Sequence, residues 1–549
     1  MKIKSIIMLA AATILAGQAL AGEPKTVEER LQWWREARFG MFIHWGPVTL
    51  KGTEIGWSRG AQIPIAEYDN LYKSFNPTKF DAEAWVAAAK DAGMKYIVLT
   101  TKHHDGFCLW DTKLTDHNIM NSPWHRDAVK ELSAACKKQG LAFGTYYSTC
   151  DWHHPDFPLT SPGGRVKRDK YDLDRYTEYL KGQVKELLTN YGPLSTIWFD
   201  VPQQFDQKRG QGVIDFVRSI QPDVLVNNRT GAKGDYDTPE QRVGGFQIDR
   251  PWETCMTICN QWAWKPNDPM KPLDQCIRTL VSCAGGDGNL LFNVGPTPEG
   301  LIEERQVARL KEMGAWLKEY GESVYATRGG PIKPTAQYAT TRRDNVIYLH
   351  VFTSAPDEVV LPALSKKIKS ATILKGGPVT WKTEGDELRV SVPASIRQPI
   401  DTVVKLELDG PAMDIEPLGG KSWVKSAKAS NVFQKQDEHA AEKAFDGDAE
   451  SRWATDSGTH SAWIEATLPK AAKLTGVEID EEFAGRVEAF EFQVEADGQW
   501  KTVIAGTKLG KFRQDFPVVS TSRIRLNITK ASEGPTINEI RIRTSPTAP

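Results

Sequence analysis

The sequence predicts an α/β protein: a (β/α)8-like TIM barrel followed by a β-sandwich and then by a second β-sandwich. Residues 27–323 alternate short apolar runs with stretches of helical periodicity, which is typical of βα units around a parallel sheet. After about residue 324 the helical pattern ends and short alternating strands replace it. A second change in composition, at residues 419–428, separates two all-β stretches.

Each element of the predicted barrel follows from its own pattern. Apolar runs predict strands at residues 40–44, 96–100, 142–147, 196–199, 224–227 and 290–294. Helical periodicity predicts helices between them, at residues 81–92, 128–139, 172–190 and 212–220. We therefore expect the barrel at residues 22–328, a β-sandwich at 329–412, a linker at 413–426 and the C-terminal β-sandwich at 427–544.

Residues 1–21 have the three-part form of a secretory signal peptide. Lys2 and Lys4 precede an apolar run from Ile6 to Leu15, and the small residues Ala19 and Ala21 follow before Gly22. No later run reaches the roughly 20 apolar residues that a membrane-spanning helix requires. We expect an exported protein, periplasmic or secreted, without a membrane span.

The charge balance and the cysteines exclude several classes of partner. Lys and Arg (69) nearly cancel Asp and Glu (70), so the formal net charge of the 549 residues is −1. Such a chain has no basic excess that would draw it to nucleic acid or to an anionic membrane. The seven cysteines show no CxxC zinc spacing. A neutral substrate such as a sugar fits these properties.

Polar residues recur at the ends of the predicted strands. In a (β/α)8 barrel the active site is built at the carboxyl ends of the strands, so these residues indicate a site rather than core. Neutral histidine can both donate and accept hydrogen bonds, which suits the hydroxyls of a pyranose, and Trp45 or Trp57 could supply an apolar wall. The strand-end residues are His44, His103, His104, Tyr147, Asp200 and Arg229.

A metal hydrolase is the competing interpretation of the histidines, because histidine clusters at barrel strand ends also bind zinc. His103 and His104 are adjacent, and adjacent residues on an extended strand point to opposite sides. They would meet at one ion only through a distorted turn. We therefore expect no cofactor in catalysis.

Asp200 follows an apolar strand directly and is the candidate nucleophile. Glycoside hydrolysis needs a second carboxyl group as acid/base. Two candidates lie downstream: Glu240 is in a polar loop, whereas Glu253 looks closer to a strand and could instead be a fixed sugar-binding or structural group. The residue pattern leaves the choice between them open.

These fragments together resemble the α-L-fucosidases of glycoside hydrolase family 29 over roughly residues 27–408. Their order along the chain is also the order in the family. The matching text is HWG at 44–46, KHHDGF at 102–107, WFD at 198–200, NR at 228–229, WETC at 252–255, and LLFNVGP at 290–296 followed by Gly300.

The resemblance implies an exo-acting, retaining α-L-fucosidase that cleaves terminal fucosyl linkages of glycans by double displacement. It implies that Asp200 is the nucleophile and favours Glu240 over Glu253 as the acid/base. The sugar contacts that it implies are His44, His103, His104, Tyr147, Trp198 and Arg229, with Trp262 in the segment that faces the C5 methyl group. An exo-glycosidase for α-galactoside-like sugars and a catalytically silent glycan-binding protein are the alternatives.

The C-terminal stretch resembles a discoidin, or coagulation-factor type C, module of the galactose-binding-like fold. The matching text is AFDGD at 444–448, RWAT at 452–455, WI at 463–464, RIRL at 523–526 and INEI at 537–540. Such modules bind carbohydrate and often hold a structural calcium ion. The expected oxygen ligands here are Asp446, Asp448 and Glu539.

Overall fold

The computed structural model describes residues 25–161, 166–246, 250–385, 387–418, 424–436, 439–446 and 451–544. The predicted signal peptide and Asp448 lie outside these ranges. Within them the strands form a parallel sheet followed by antiparallel sheets, and the predicted fold class is confirmed.

The first sheet is the parallel sheet of the barrel, in the strand order β5-β4-β3-β2-β1-β7-β6. Every residue of these strands except the first of β3 is buried, because the barrel interior covers one face and helices cover the other. The strands are β1 (Phe39–Ile43), β2 (Tyr96–Lys102), β3 (Ala142–Ser148), β4 (Thr196–Asp200), β5 (Leu225–Val226), β6 (Glu253–Thr257) and β7 (Asn289–Val294).

Residues 235–241, here called the bridging segment, join the two edge strands of this sheet. Asn227, just after β5, forms a parallel bridge with Tyr236, and Glu240 forms one with Cys255 of β6. The amide of Asp235 donates to the carbonyl of Val226 at 2.7 Å. The bridging segment therefore takes the place of an eighth strand, and it closes the barrel.

Helices surround the barrel and one helix covers its amino end. Aspartate side chains accept amide hydrogen bonds at the first turns of α3 to α6, which satisfies donors that the helices leave unpaired. Leu31 and Trp34 of α1 pack with residues of the barrel interior. The helices are α1 (Val27–Ala37), α2 (Ile65–Tyr68), α3 (Ala82–Asp91), α4 (Ala128–Gln139), α5 (Leu173–Asn190), α6 (Gln207–Ile220), α7 (Leu273–Gly285) and α8 (Glu304–Tyr320).

Two antiparallel sheets follow the barrel, with strand orders β12-β15-β10-β9-β8 and β11-β14-β13. They pack around an aliphatic core that includes Leu349, Val390 and Leu406. Asp287, just before β7, joins this part to the barrel, because it accepts hydrogen bonds from Arg38 after α1 and from Arg328 of β8. The strands are β8 (Arg328–Gly329), β9 (Tyr338–Arg343), β10 (Val346–Phe352), β11 (Glu358–Pro362), β12 (Ile368–Ile373), β13 (Trp381–Glu384), β14 (Glu387–Ser391) and β15 (Asp401–Leu408).

The C-terminal part is one antiparallel sheet with a core of its own, around Trp453, Phe490 and Leu526. Register shifts interrupt the pairing of its two longest strands, β18 and β21. The strands are β16 (Ser426–Ala429), β17 (Trp453–Ala454), β18 (Ala462–Glu481), β19 (Val487–Ala496), β20 (Gln499–Gly506), β21 (Lys511–Ala531) and β22 (Thr536–Thr544). Across the described ranges of the whole chain, no helix is both long and apolar enough to cross a bilayer.

Candidate functional site

Asp200 is the last residue of β4, so its carboxylate lies at the carboxyl mouth of the barrel. Oδ2 accepts a hydrogen bond from Tyr146 Oη at 2.8 Å, and Oδ1 accepts one from Arg229 Nη1 at 2.8 Å. Burial alone would raise the pKa of Asp200, but Arg229 and these hydrogen bonds outweigh it and hold the pKa below its ordinary value. Asp200 is therefore an ionised carboxylate on a rigid strand.

Arg229 holds Asp200 and Glu240 together. Its Nη1 atom lies 2.8 Å from Asp200 Oδ1 and 2.9 Å from Glu240 Oε2. Nη2 donates to the carbonyl of Thr238 at 2.7 Å, and the guanidinium carbon lies 4.9 Å from the ring centroid of Trp198. The side chain of Glu240 is 42% exposed, so it faces the opening of the barrel. Two carboxylates thus meet at one cation.

Tyr147 does not lie in the site, and the prediction of a sugar contact there is wrong. Its hydroxyl donates to Gln183 at 2.8 Å, and its ring packs in the core between strands and helices. Tyr146 points into the barrel interior instead and reaches Asp200. Successive side chains of a strand point to opposite faces, so only one tyrosine of this pair can face the site.

His44 is fixed by Asn293 of β7. Its Nδ1 lies 2.7 Å from Asn293 Oδ1, while Asn293 Nδ2 donates to the carbonyl of Trp262 at 2.8 Å. The amide orientation that satisfies Trp262 makes Oδ1 the acceptor, so the proton of His44 is on Nδ1. Burial lowers the pKa of His44 to about 3. His44 is therefore neutral, with Nε2 left as an acceptor.

His103 and His104 lie side by side, with ring centroids 3.8 Å apart. They can do so because β2 ends at Lys102 and the chain turns at once. His104 Nδ1 lies 2.7 Å from Ser148 Oγ, and its Nε2 lies 3.9 Å from Asp200 Oδ2. Burial lowers the pKa of His104 to about 4 and that of His103 well below the ordinary value. Both imidazoles are neutral groups at the barrel mouth.

Trp57 and Trp262 supply aromatic surface at the rim. Trp57 is 39% exposed, and its ring contacts that of His104 edge-on at 5.3 Å. Trp262 is half-buried, and its ring centroid lies 4.8 Å from that of His44. Both tryptophans thus lie where a sugar held by the histidines would contact them.

Glu253 lies at the other end of the barrel, which contradicts the alternative that it is the acid/base. It is the first residue of β6 and is 1% exposed. Its carboxylate accepts hydrogen bonds from Tyr96 Oη and from the indole nitrogens of Trp34 and Trp198. Burial raises the pKa of Glu253 to about 7, although these hydrogen bonds oppose the change. Glu253 is a structural carboxyl group of the barrel interior.

No three histidine, cysteine, aspartate or glutamate side chains within the described ranges are grouped so that they could hold a metal ion. Asp446 Oδ1 accepts a hydrogen bond from Ser451 Oγ at 2.7 Å, and Glu539 is a buried residue of β22. Asp448, the third expected calcium ligand, lies outside the described ranges. The calcium site stays a prediction.

The fold and the site together define a class of enzyme. Paired carboxylates at the carboxyl mouth of a (β/α)8 barrel are the groups with which glycoside hydrolases work. The neutral imidazoles and the tryptophans around them suit the hydroxyls and the apolar face of a sugar.

Comparison with known proteins gives the family. The family model Alpha-L-fucosidase matches residues 16–322, and the model F5/8 type C domain matches residues 426–541. The chain belongs to the α-L-fucosidase family, glycoside hydrolase family 29, and carries a C-terminal domain of the F5/8 type C family.

Relatives and solved structures agree with this assignment. Plasma alpha-L-fucosidase from Homo sapiens is 29% identical over 404 residues, which cover 66% of this chain and 85% of that protein. Alpha-L-fucosidase isoenzyme 1 from Paenibacillus thiaminolyticus is 36% identical, with a TM-score of 0.64 over 70% of this chain and 99% of its own. A trapped covalent intermediate of the GH29 enzyme from Bacteroides thetaiotaomicron is 29% identical, with a TM-score of 0.63 over 71% of this chain and 98% of its own.

The sequence did not reveal three residues that orient the site: Tyr146, Ser148 and Asn293. Tyr146 and Ser148 point to one face of β3 and Tyr147 points to the other. Which face is the inner one can be inferred only when one inward-pointing residue of β3 is known. Asn293 stands inside the apolar run 290–294, where a buried amide needs polar partners. A polar side chain inside such a run was the available signal.

Proposed function

We propose that this protein is an exported, exo-acting α-L-fucosidase that cleaves terminal fucosides with retention, using Asp200 as nucleophile and Glu240 as acid/base. The observation that carries the proposal is the shared contact of both carboxylates with Arg229 Nη1. Asp200 Oδ1 and Glu240 Oε2 lie 2.8 and 2.9 Å from this one nitrogen, so the distance between the two oxygens cannot exceed the sum of these two distances. Retaining glycosidases hold the two groups about 5 to 5.5 Å apart, and inverting ones at least about 6.5 Å.

In the first step Asp200 attacks C1 of the fucoside while Glu240 gives its proton to the departing glycosidic oxygen. The bond from C1 to that oxygen breaks, and an ester between C1 and Asp200 forms. In the second step Glu240 takes a proton from water, and the water oxygen displaces Asp200 from C1. Two inversions give net retention.

The environments of the two carboxylates differ. Asp200 has a lowered pKa and is ionised, as a nucleophile must be. Glu240 pairs with Arg229 in the free protein and stands at the exposed rim. Its acid role requires that the bound sugar replace the guanidinium as its partner.

The surrounding side chains would hold the sugar. His44 offers Nε2 as an acceptor to a hydroxyl, and His103 and His104 offer neutral ring nitrogens. Trp262 would face the C5 methyl group, and Trp57 would line the side of the leaving group. The covalent intermediate trapped in the relative from Bacteroides thetaiotaomicron supports a double displacement here.

Trapping with a 2-fluoro-fucosyl fluoride tests the nucleophile. We expect one fucosyl adduct per chain, on the peptide that contains Asp200, and none in Asp200→Ala. A label on another residue would overturn the assignment. Wild-type protein that binds fucose without any turnover on a fucoside panel would make it a glycan-binding protein instead.

Azide rescue tests the acid/base. Glu240→Ala should slow natural linkages much more than an activated aryl fucoside, and azide should restore turnover as a fucosyl azide of retained configuration. Glu253→Gln is the matched control and should show no rescue. Rescue of the Glu253 variant but not of the Glu240 variant would reverse the assignment. Competition between fucosides and galactosides tests the preferred sugar.

Export rests on the predicted signal peptide at residues 1–21. N-terminal sequencing of protein recovered from the periplasm or the medium should begin at Gly22, after Ala21. An uncleaved chain retained in the cytoplasm would contradict export. The C-terminal domain needs a separate test. Titrating the full chain with glycan and with Ca²⁺, before and after treatment with a chelator, tests whether this domain binds carbohydrate and calcium.

A further inference from the structure

Four consecutive backbone amides in the loop that follows β6 are held by two carboxylates. Asp268 Oδ2 accepts from the amides of Asn260 and Gln261, at 2.9 and 2.8 Å. Glu54 accepts from the next two: Oε2 from Trp262 at 3.0 Å and Oε1 from Ala263 at 3.1 Å. The whole turn that carries the ring of Trp262 is thus fixed by side chains from outside it.

Glu54 reaches this turn from the loop after β1, 208 residues away in sequence. Its backbone carbonyl accepts from Ser58 Oγ at 2.7 Å, and its side-chain Oε1 also accepts from the amide of Ile55 at 3.1 Å. Both carboxylate oxygens are therefore occupied by backbone donors. Glu54 therefore contacts the loop through the backbone amides of the loop.

A carboxylate is the side chain that this position requires. It offers two acceptor oxygens and no donor, whereas an amide would turn an NH2 group toward one of the backbone N–H groups. Burial raises the pKa of Glu54, while the hydrogen bonds from Trp262 and Ala263 oppose that change. The neighbouring Asp268 also raises it.

The contacts of Trp262 leave its backbone little freedom. On one side its amide is held by Glu54, and on the other its carbonyl accepts from Asn293, which also orients His44. Behind the loop is Gly295, where an added Cβ would lie 2.6 Å from the amide nitrogen of Trp264 and 3.1 Å from the carbonyl oxygen of Trp262. The loop therefore rests on the backbone after β7 and cannot retreat.

We propose that Glu54 is a positioning residue that fixes the depth of Trp262 and so makes the pocket prefer a methyl group over a hydroxymethyl group at C5. The inference rests on the proposed function, in which Trp262 faces that methyl group. L-Fucose is 6-deoxy-L-galactose, so the two sugars differ at this one group. Apolar pockets discriminate such small differences by roughly 10- to 200-fold.

The test compares 4-nitrophenyl α-L-fucoside with 4-nitrophenyl α-L-galactoside in wild type and Glu54→Gln. We expect the ratio of kcat/KM for fucoside over galactoside to fall about tenfold or more. KM for the fucoside should rise several-fold while kcat changes less than about twofold, because Glu54 touches neither Asp200 nor Glu240. A ratio and KM equal to those of wild type would overturn the proposal.

Two further variants separate this effect from general destabilisation. Glu481→Gln removes a buried carboxylate that accepts backbone amides in the C-terminal domain, from Val487 at 2.8 Å and Gly510 at 2.9 Å. It should leave the ratio unchanged. Glu54→Asp retracts the carboxylate by one methylene and should give an intermediate ratio. It carries the same test if Glu54→Gln fails to fold.

A double-mutant cycle with Trp262→Leu shows whether Glu54 acts through Trp262. The double variant should have the ratio of Trp262→Leu alone, whereas additive effects would contradict the mechanism. Calorimetric dissociation constants of L-fucose and L-galactose give the same ratio without turnover. A wild type that binds but does not cleave would overturn the proposed function and leave the test of Glu54 intact.

Discussion

Replacing Tyr146 by phenylalanine removes one hydroxyl group, the donor that lies 2.8 Å from Asp200 Oδ2, and keeps the ring that packs in the barrel interior. A hydrogen bond to an ionised group contributes about 1.5 to 3 kcal/mol, and one pKa unit corresponds to about 1.36 kcal/mol. The pKa of Asp200 should therefore rise by about one to two units. Arg229 remains in place and keeps the carboxylate ionised at neutral pH.

The sign of the effect on activity follows from the proposed role of Asp200, because a nucleophilic carboxylate must be ionised to attack. The acid limb of the pH profile of kcat/KM should move to higher pH by about one unit or more. At pH 7 kcat/KM should fall less than about tenfold. The assay is the pH profile of aryl α-L-fucoside hydrolysis in wild type and Tyr146→Phe.

Tyr147→Phe is the matched control, since it removes the same group from the adjacent residue. Its hydroxyl donates to Gln183, so its loss should lower the free energy of unfolding by about 1 to 3 kcal/mol and leave the acid limb in place. An acid limb that stays in place in Tyr146→Phe, or moves equally in both variants, would refute the reasoning.

Three more predictions concern groups around the site and the barrel. The pKa of Glu253 is raised from 4.5 to about 7, so the stability that it contributes is present below pH 4.5 and lost as the pH rises through 7, about 3 kcal/mol in all; Glu253→Gln should remove this part of the pH dependence in denaturant unfolding. Asp287→Asn should destabilise the barrel by about 3 to 5 kcal/mol in the same assay, because it leaves buried Arg38 without its anion. Asn293→Ala should lower kcat/KM for an aryl fucoside about 5- to 100-fold by freeing the ring of His44, with unchanged binding of L-fucose as the contradicting result.

Much of the barrel could be predicted from sequence, because buried parallel strands are continuous apolar runs and helices have a different period. The strand that begins at Glu253 escaped prediction, since ETCMT is neither a continuous apolar run nor a strict alternation of polar and apolar residues, although all five are buried. Without that strand, the end of the barrel at which Glu253 lies could not be inferred. A residue at the start of a parallel strand lies at the end of the barrel opposite to the site.

The site was predictable at the level of strand ends and not at the level of side-chain direction. Asp200, His44 and Arg229 lie together at the barrel mouth, as their positions after strands predicted. Tyr146 and Tyr147 are adjacent, so they point to opposite faces of β3, and the local sequence does not show which of them faces the site. Glu54 could not be predicted to act here, because its partners are backbone amides 208 residues away.

Asp200 and Glu240 lie on parts of the barrel that differ in how their backbones are paired. Asp200 belongs to β4, which forms a continuous ladder with β3. Glu240 belongs to the bridging segment, which is joined to its neighbours through isolated β-bridges. A segment joined through isolated bridges rather than through a continuous ladder tolerates insertions and deletions that a continuous strand would not. Over evolutionary time the position of Glu240, the proposed proton donor, can therefore change to suit new leaving groups, while Asp200, the proposed nucleophile, stays where the strand fixes it.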